Sequence, residues 1–342
     1  MTEPLVVADD LHVRFATQRP LTDSLLRRPA PSVRAVDGVS FAVSPGEVLA
    51  LVGESGCGKT TTGNLLLGLI PLSEGTVRFE GQDVASMGRR QMRAFRRACQ
   101  IIFQDPYESL NPRMRIRDII AEPLRVHHVA VNDDDEQTRV RHALTQAGLA
   151  PPEVYENRYP YELSGGQRQR VVIAAALTLE PRLLIADEPV SMLDVSIRAD
   201  ILNLLRRLAT ESRIAIVMIT HDLATVSAYA DRLAVMYLGR IVEIGDTRTI
   251  LSDPQHPYTR ALLSVVPTTD PAARQRPQVL AGETPDPSRI PSGCRFHPRC
   301  PVAVAACRTI DPALIALGPD HEAACILVGS GPIVRGSSSA GR

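Results

Sequence analysis

Residues Gly53-Glu54-Ser55-Gly56-Cys57-Gly58-Lys59-Thr60 fit the pattern G-x-x-x-x-G-K-[ST], a loop whose backbone N–H groups cradle phosphate oxygens. The apolar run Val48-Leu49-Ala50-Leu51-Val52 before it reads as a buried strand, and residues 60–70 after it read as a helix. Glycines let the loop turn tightly, and the helix N-terminus adds partial positive charge. Lys59 is placed to reach the β- and γ-phosphates of a nucleotide, and the Thr60 hydroxyl to ligate Mg²⁺. Thr61 completes the nucleotide-binding stretch, and Cys57, at a variable position, reads as a small filler rather than a nucleophile. Lys59 is also the only lysine among 38 Lys+Arg residues. A lysine kept where arginine serves elsewhere marks a site that needs a compact, rotatable ammonium.

A second apolar run, Leu183-Leu184-Ile185-Ala186, ends in Asp187-Glu188. At the end of a parallel strand Asp187 can hold Mg²⁺, directly or through water, and Glu188 can act as general base on an attacking water. Alone, such a strand end is a weak signal and reads better as a surface turn. About 130 residues after a phosphate loop, it is the expected other half of a nucleotide site.

These elements must be positioned by a chain of 342 residues, enough for one large α/β domain with an appendage. Hydrophobic residues make up 44% and charged residues 22%, which excludes wholesale disorder. Basic and acidic residues number 38 each, so a dominant nucleic-acid or anionic-membrane surface is disfavoured. The longest apolar runs, around Val171–Leu179 and Ile214–Ile219, fall short of the ~18–20 residues a membrane span needs. The acidic N-terminus, with Glu3, Asp9 and Asp10, is not a signal peptide. A cytosolic chain is expected, whose membrane-spanning partners, if any, are other subunits.

Residues Ser164-Gly165-Gly166-Gln167-Arg168-Gln169-Arg170 resemble the signature sequence of ATP-binding-cassette (ABC) ATPases. Further motifs follow that family's order over roughly residues 5–265. Gln104 in Ile-Ile-Phe-Gln-Asp-Pro is similar to the Q-loop glutamine. Ser191-Met192-Leu193-Asp194 is similar to the D-loop, and His221 in Ile-Thr-His-Asp to the switch histidine. The resemblance implies an α/β fold: a P-loop ATPase with a RecA-like core, an antiparallel β subdomain and a helical signature subdomain at about 105–165. It implies ATP and Mg²⁺ as ligands. Glu188, His221 and Gln104 would be catalytic, with Gln104 also a Mg²⁺ ligand beside Thr60 and Asp187. Ser164, Gly165, Gly166 and Gln167, opening a helix over about 166–179, would hold the ATP of a partner cassette, with Asp194 acting across that interface. The family's adenine-stacking aromatic falls on Thr17 here; Phe15 reads as core, and no stacking residue is assigned.

The stretch Gln104–Met114, together with Glu122-Pro123-Leu124, Asn157-Arg158-Tyr159-Pro160, Asp194-Val195-Ser196-Ile197 and Asp253–Leu263, resembles the ATPases of oligopeptide and dipeptide importers. The Arg- and Pro-rich insertion Thr17–Val33 is closer to the F-type subunit of such permeases, and its local structure reads as a solvated loop. The resemblance implies a sister ABC ATPase forming a heterodimer, two transmembrane permease subunits, an extracytoplasmic peptide-binding protein reached through the permease, and no nucleic acid. The chain would then sit peripherally on the cytoplasmic face of the membrane. Helices at 113–127 and 136–148, with Asp133–Glu136 a solvated helix start, would offer a groove to a permease coupling helix. The competing assignment is a soluble, non-transport ABC ATPase of DNA repair or translation, which usually carries tandem cassettes, coiled coils, zinc fingers or basic arms; none of these is evident.

After the cassette, 1–265, six prolines in 267–292 read as a semi-rigid connector over 266–293. A cysteine-containing extension over 294–327 follows, then a Ser/Gly-rich tail, 328–342, expected to be disordered. Cys294, Cys300, Cys307 and Cys325 are spaced C-x5-C-x6-C-x17-C, which is not a C-x2-C zinc pattern. Four thiols with few carboxylates suit a soft metal centre, with [4Fe–4S] the leading candidate and zinc or reduced packing cysteines the alternatives. The segments Pro291–Phe296 and Arg299-Cys300-Pro301 resemble the C-terminal extension of peptide-importer ATPases, some of which carry such a cluster. Cys99 stands apart and reads as core.

Overall fold

The computed structural model describes residues 3–16, 32–266, 280 and 282–328. The insertion from Thr17 to 31, most of the proline-rich stretch and the tail from 329 lie outside the described residues.

Three strands set the architecture: β3 (Val48–Val52), β7 (Leu183–Asp187) and β8 (Ala215–Thr220) are buried at every position. Continuous apolar runs of this kind require cover on both faces. The eight-stranded main sheet provides the setting. Its parallel part runs β9 (Arg232–Tyr237), β3, β8, β7, β6 (Cys99–Ile102). Side chains alternate between the two faces. Val48, Ala50 and Val52 point into a core formed with α4 (Ile116–His127), α5 (Asp133–Gln146), α6 (Gly165–Leu177) and α7 (Val195–Ser212). Leu49 and Leu51 point the other way, into a core shared with α1 (Lys59–Leu66), α2 (Arg89–Ala98) and a second sheet. That four-stranded antiparallel sheet runs β2 (Ser32–Val43), β1 (Val6–Ala16), β4 (Glu74–Phe79), β5 (Gln82–Asp83).

Local sequence explains the helix starts. Asn132 Oδ1 accepts from the Asp135 N–H at 2.9 Å, so the acidic run Asp133–Glu136 begins α5 where negative charge favours the helix dipole. Ser164 and Gln167 form a reciprocal capping box at the start of α6. α1 ends earlier than its apolar pattern suggests, because Gly68 turns the chain with φ 61°.

The C-terminal extension is joined to the cassette through the main sheet. β12 (His321–Ala323) pairs antiparallel with β10 (Arg240–Asp246), which pairs with β9, and β11 (Ile315–Gly318) adds the outer edge. Beneath this seam the fully buried Glu243 accepts from the Gln255 and His256 backbone N–H groups and bonds His321 Nε2 at 2.8 Å. Tyr237, Tyr258 and Phe296 pack their rings within 4.7–5.4 Å of one another, tying strand, helix and extension together. On the other flank the buried Arg295 donates to the Leu238 carbonyl and to Asp37, which also faces His12. Burial pushes Asp37 up, but Arg295, His12 and Arg240 outweigh it and hold the carboxyl below its ordinary range.

Arg295→Met leaves Asp37 with weaker partners, so it is expected to cost about 2 kcal/mol of unfolding free energy in urea titrations. Because the Asp37 pKa is depressed, its contribution is present above the ordinary carboxylate pKa of about 4 and lost as pH falls through the folded value. The gap between wild type and variant is therefore expected to narrow on acidification; equal stability at pH 7 would contradict the clamp.

Candidate functional site

Parallel pairing brings three strand ends to one edge. Val52 pairs with Thr220 and Asp187 with Ile219, so Gly53, Glu188 and His221 leave the sheet side by side at its carboxyl end. Gly53 and Gly58 are required by close approach. A Cβ on Gly53 would strike the Met236 carbonyl oxygen, and one on Gly58, at φ 105°, the Ala35 carbonyl oxygen. α1 begins at Lys59 directly after this turn, so its first N–H groups face the space under the loop. Ser55 and Gly56 form the exposed tip. Lys59 is buried, and its Nζ donates to the carbonyls of Gly53 at 2.7 Å and Glu54 at 2.9 Å. Cys57 points inward beside it, its thiol pushed up by burial, as suits a filler. Thr60 bonds Asp187 through its side chain, while the neighbouring Thr62 hydroxyl donates to the Gly58 carbonyl. Burial, then the charge of Glu188, raises the Asp187 carboxyl, against the Thr60 hydrogen bond and Lys59. A hydroxyl and a carboxylate, both hard oxygen donors beside the phosphate loop, fit Mg²⁺.

One residue further on, Glu188 is gripped from two sides. His221 Nδ1 lies 2.9 Å from its Oε1, and Gln104 Nε2 donates to its Oε2 at 3.0 Å. Gln104 thus stands on Glu188 rather than on the Thr60–Asp187 pair. Ser191 Oγ donates to the Glu188 carbonyl at 3.1 Å, and a cleft of about 250 Å³ opens between Glu188, Ser191, Arg198 and His221. The arrangement places a carboxylate base beside a phosphate loop, with two polar groups fixing its orientation.

The signature residues sit elsewhere, at the start of α6 in the helical layer. Gly165 approaches Leu193 and the Tyr107 hydroxyl, and a Cβ on Gly166 would lie 2.5 Å from Ile197. Among the described residues no hydrogen bond links Ser164, Gly165, Gly166 or Gln167 to residues 53–61. Asp194 is the exposed N-cap residue of α7, flanked by Met192 at 59% and Val195 at 80% exposure. Arg168 stacks over the Tyr107 ring at 4.3 Å, joining α6 to the short helix α3 (Pro106–Ser109) that follows Gln104.

One expectation needs correction. Phe15, read as core, is 45% exposed: the pairing of β1 with β4 ends at His12, and beyond it only β2 runs alongside, with Phe15 opposite Val33. Thr17 lies outside the described residues. The four extension cysteines are free; Cys307 and Cys325 are buried, and Cys294 and Cys300 half-buried. Burial and neighbouring thiols push Cys294 and Cys325 up, and Cys300 to about 11. Yet among the described residues no three His, Cys, Asp or Glu side chains form a group able to hold a metal ion, so this geometry does not support the [4Fe–4S] expectation. Sequence reasoning also missed three contacts on Glu54. Arg299 and Thr284 bond its carboxylate, and its N–H donates to the Tyr258 hydroxyl at 2.9 Å. No described helix is long and apolar enough to cross a membrane.

Comparison with known proteins supplies the family. Residues 36–191 match the ABC transporter family, and residues 242–307 match the oligopeptide/dipeptide transporter C-terminal region. A Brucella ovis protein whose name places it among peptide import ATP-binding proteins is 50% identical over 295 residues, 86% of this chain and 92% of its own. The oligopeptide transport ATP-binding protein AppF of Bacillus subtilis is 44% identical over 311 residues, 90% of this chain and 94% of its own. Among solved structures, the dimeric ATP-binding cassette MJ0796 bound to ADP and phosphate superposes with a TM-score of 0.61 at 25% identity, covering 71% of this chain and 99% of its own. The cbiO1 subunit of a Clostridium perfringens ABC transporter complex gives 0.62 at 27% identity, covering 73% and 91%. With its strand-end carboxylates, phosphate loop and matching relatives, the chain belongs to the ATP-hydrolysing cassettes of the ABC transporter family, in the branch that carries the oligopeptide/dipeptide transporter C-terminal region.

Proposed function

We propose that this chain is the ATP-hydrolysing subunit of an importer for oligopeptides or dipeptides, driving uptake through separate membrane subunits. The observation that carries the proposal is Glu188, held between Gln104 and His221 next to the Thr60–Asp187 pair, in a chain whose residues 242–307 match the peptide-transporter region.

In this mechanism the N–H groups around Gly56–Thr60 receive the β- and γ-phosphates of ATP, and Lys59 exchanges its two carbonyl partners for phosphate oxygens. Mg²⁺, when bound, offsets phosphate charge. Thr60 and Asp187 would hold it, with Gln104 as the further ligand suggested by resemblance. Glu188 accepts the proton of the attacking water, and His221 keeps that carboxylate in place. Ser164, Gly165, Gly166 and Gln167 serve the ATP of a second cassette, and Asp194 acts across the shared interface. The exposed Met192 and Val195 beside it support an open face there. Nucleotide thus joins two cassettes, and its hydrolysis loosens them. The proposed partners are a sister ABC ATPase, two transmembrane permease subunits and, through them, an extracytoplasmic peptide-binding protein, with this chain peripheral on the cytoplasmic side. The cassette is assigned to residues 1–265 and the cysteine extension to 294–327.

A centre at Cys294, Cys300, Cys307 and Cys325 is a separate proposal. It is supported by the resemblance of the extension to relatives that carry such a cluster, and by Cys294 and Cys300 each lying within electrostatic reach of Cys307 and Cys325.

Glu188→Gln keeps the shape and removes the base. ATP turnover of the assembled complex is expected to fall about 100-fold or more while ATP binding is retained; unchanged turnover would remove Glu188 from catalysis. For the thiols, chain purified without oxygen is expected to carry iron and acid-labile sulfide in equal amounts. Six titratable thiols and no iron would return the cysteines to a packing role.

A further inference from the structure

All three polar groups of Glu54, the first variable residue of the phosphate loop, are held from outside the loop's tip. Its carboxylate Oε2 and Oε1 accept from Arg299 Nη1 and Nη2 at 2.8 and 3.2 Å, and Thr284 donates its hydroxyl to the same carboxylate. Its N–H donates to the Tyr258 hydroxyl, and its carbonyl accepts from Lys59. The Arg299 side chain is 9% exposed and that of Glu54 25%, so the pair is shielded from water and salt. Burial acts against both charges, yet each is stabilised by the other: Glu54 is held below its ordinary range, and Arg299 is pushed up.

The grip comes from a rigid source. Arg299 stands on a turn in which its N–H bonds the Phe296 carbonyl, and the buried Phe296 and Tyr258 rings pack 5.4 Å apart. Arg299 lies 245 residues from Glu54 in sequence and immediately precedes Cys300. The loop itself contains Gly53, Gly56 and Gly58, each of which leaves the backbone free to wander. Of the side chains between these glycines, Ser55 is exposed and Cys57 only fills the interior. Glu54 is therefore the loop's one outward charged anchor.

We propose that Arg299 is a positioning residue for ATP. By holding Glu54, the C-terminal extension fixes the phosphate loop so that its N–H groups converge on phosphate before nucleotide arrives. This rests on the nucleotide reading of residues 53–61 and extends it: the ATP site is completed by the extension as well as by the cassette. Preorganisation of this kind acts on binding rather than on the chemical step.

The test is steady-state ATP hydrolysis by the assembled full-length complex, with nucleotide binding to the chain followed in parallel. Arg299→Gln is expected to raise KM and Kd for ATP about tenfold, about 1.4 kcal/mol, with kcat within about twofold of wild type. Arg299→Lys, which keeps the charge without the fork, is expected to recover most of that loss. Glu54→Gln should weaken binding similarly, and adding it to Arg299→Gln should cause little further loss, because both substitutions remove one shared interaction. A wild-type KM and Kd in Arg299→Gln, with only its melting temperature lowered, would make the contact a structural latch and overturn the proposal. So would full additivity of the two substitutions. Failure of the wild-type chain to bind ATP would instead defeat the nucleotide assignment itself.

Discussion

Three parallel strands in register are the constraint on which the rest depends. β3 (Val48–Val52), β8 (Ala215–Thr220) and β7 (Leu183–Asp187) lie side by side, so residues more than 130 positions apart emerge within one crevice. The apolar content of those strands has a functional consequence. Because every position is buried, the sheet cannot slip by one residue without exposing its core. The loop at Gly53, the carboxylates at Asp187 and Glu188 and the ring of His221 are thereby fixed relative to one another. The costly features at this edge, including Glu188 at φ 45°, are held by the packing behind them.

The same rigidity keeps the helix starts at the phosphate loop and at Ser164, the two proposed anion sites, apart. α1 opens at the phosphate loop, on the side shared with the four-stranded sheet, whereas α6 opens at Ser164 in the helical layer. Between them runs a continuous set of contacts. Gln104 bonds Glu188, the chain turns into the short helix α3, and Tyr107 of that helix lies under Arg168 of α6. A change at the carboxylate can therefore reach the signature helix through side chains in contact, which is the physical requirement for coupling hydrolysis to movement of the helical layer.

Legibility in the sequence followed how local each signal is. The phosphate loop was readable because strand, glycine turn and helix are contiguous, and the start of α5 because the acidic run Asp133–Glu136 marks a first helical turn. Glu188 was readable once a phosphate loop stood upstream. Phe15 misled because apolar character alone does not say where a strand outruns its neighbour. The seam between β10 and β12 left little trace: β12 is only His321-Glu322-Ala323, too short for a period, and its partner lies about 80 residues away. The Arg299–Glu54 pair was invisible for a related reason. Arginine is the default cation throughout this chain, so one more arginine beside a cysteine carries no mark, and only the folded extension brings it to the loop.

The match to the peptide-transporter C-terminal region implies membrane permease partners, and on the proposed mechanism a second cassette would complete the two nucleotide sites of which this chain holds one half each. The most direct measurement is purification of the tagged full-length chain from its native membrane, with the co-purifying proteins identified by mass spectrometry. Recovery with two membrane subunits and a second ATP-binding cassette is the expected result. Recovery with nucleic acid or ribosomes and without membrane subunits would contradict the importer assignment.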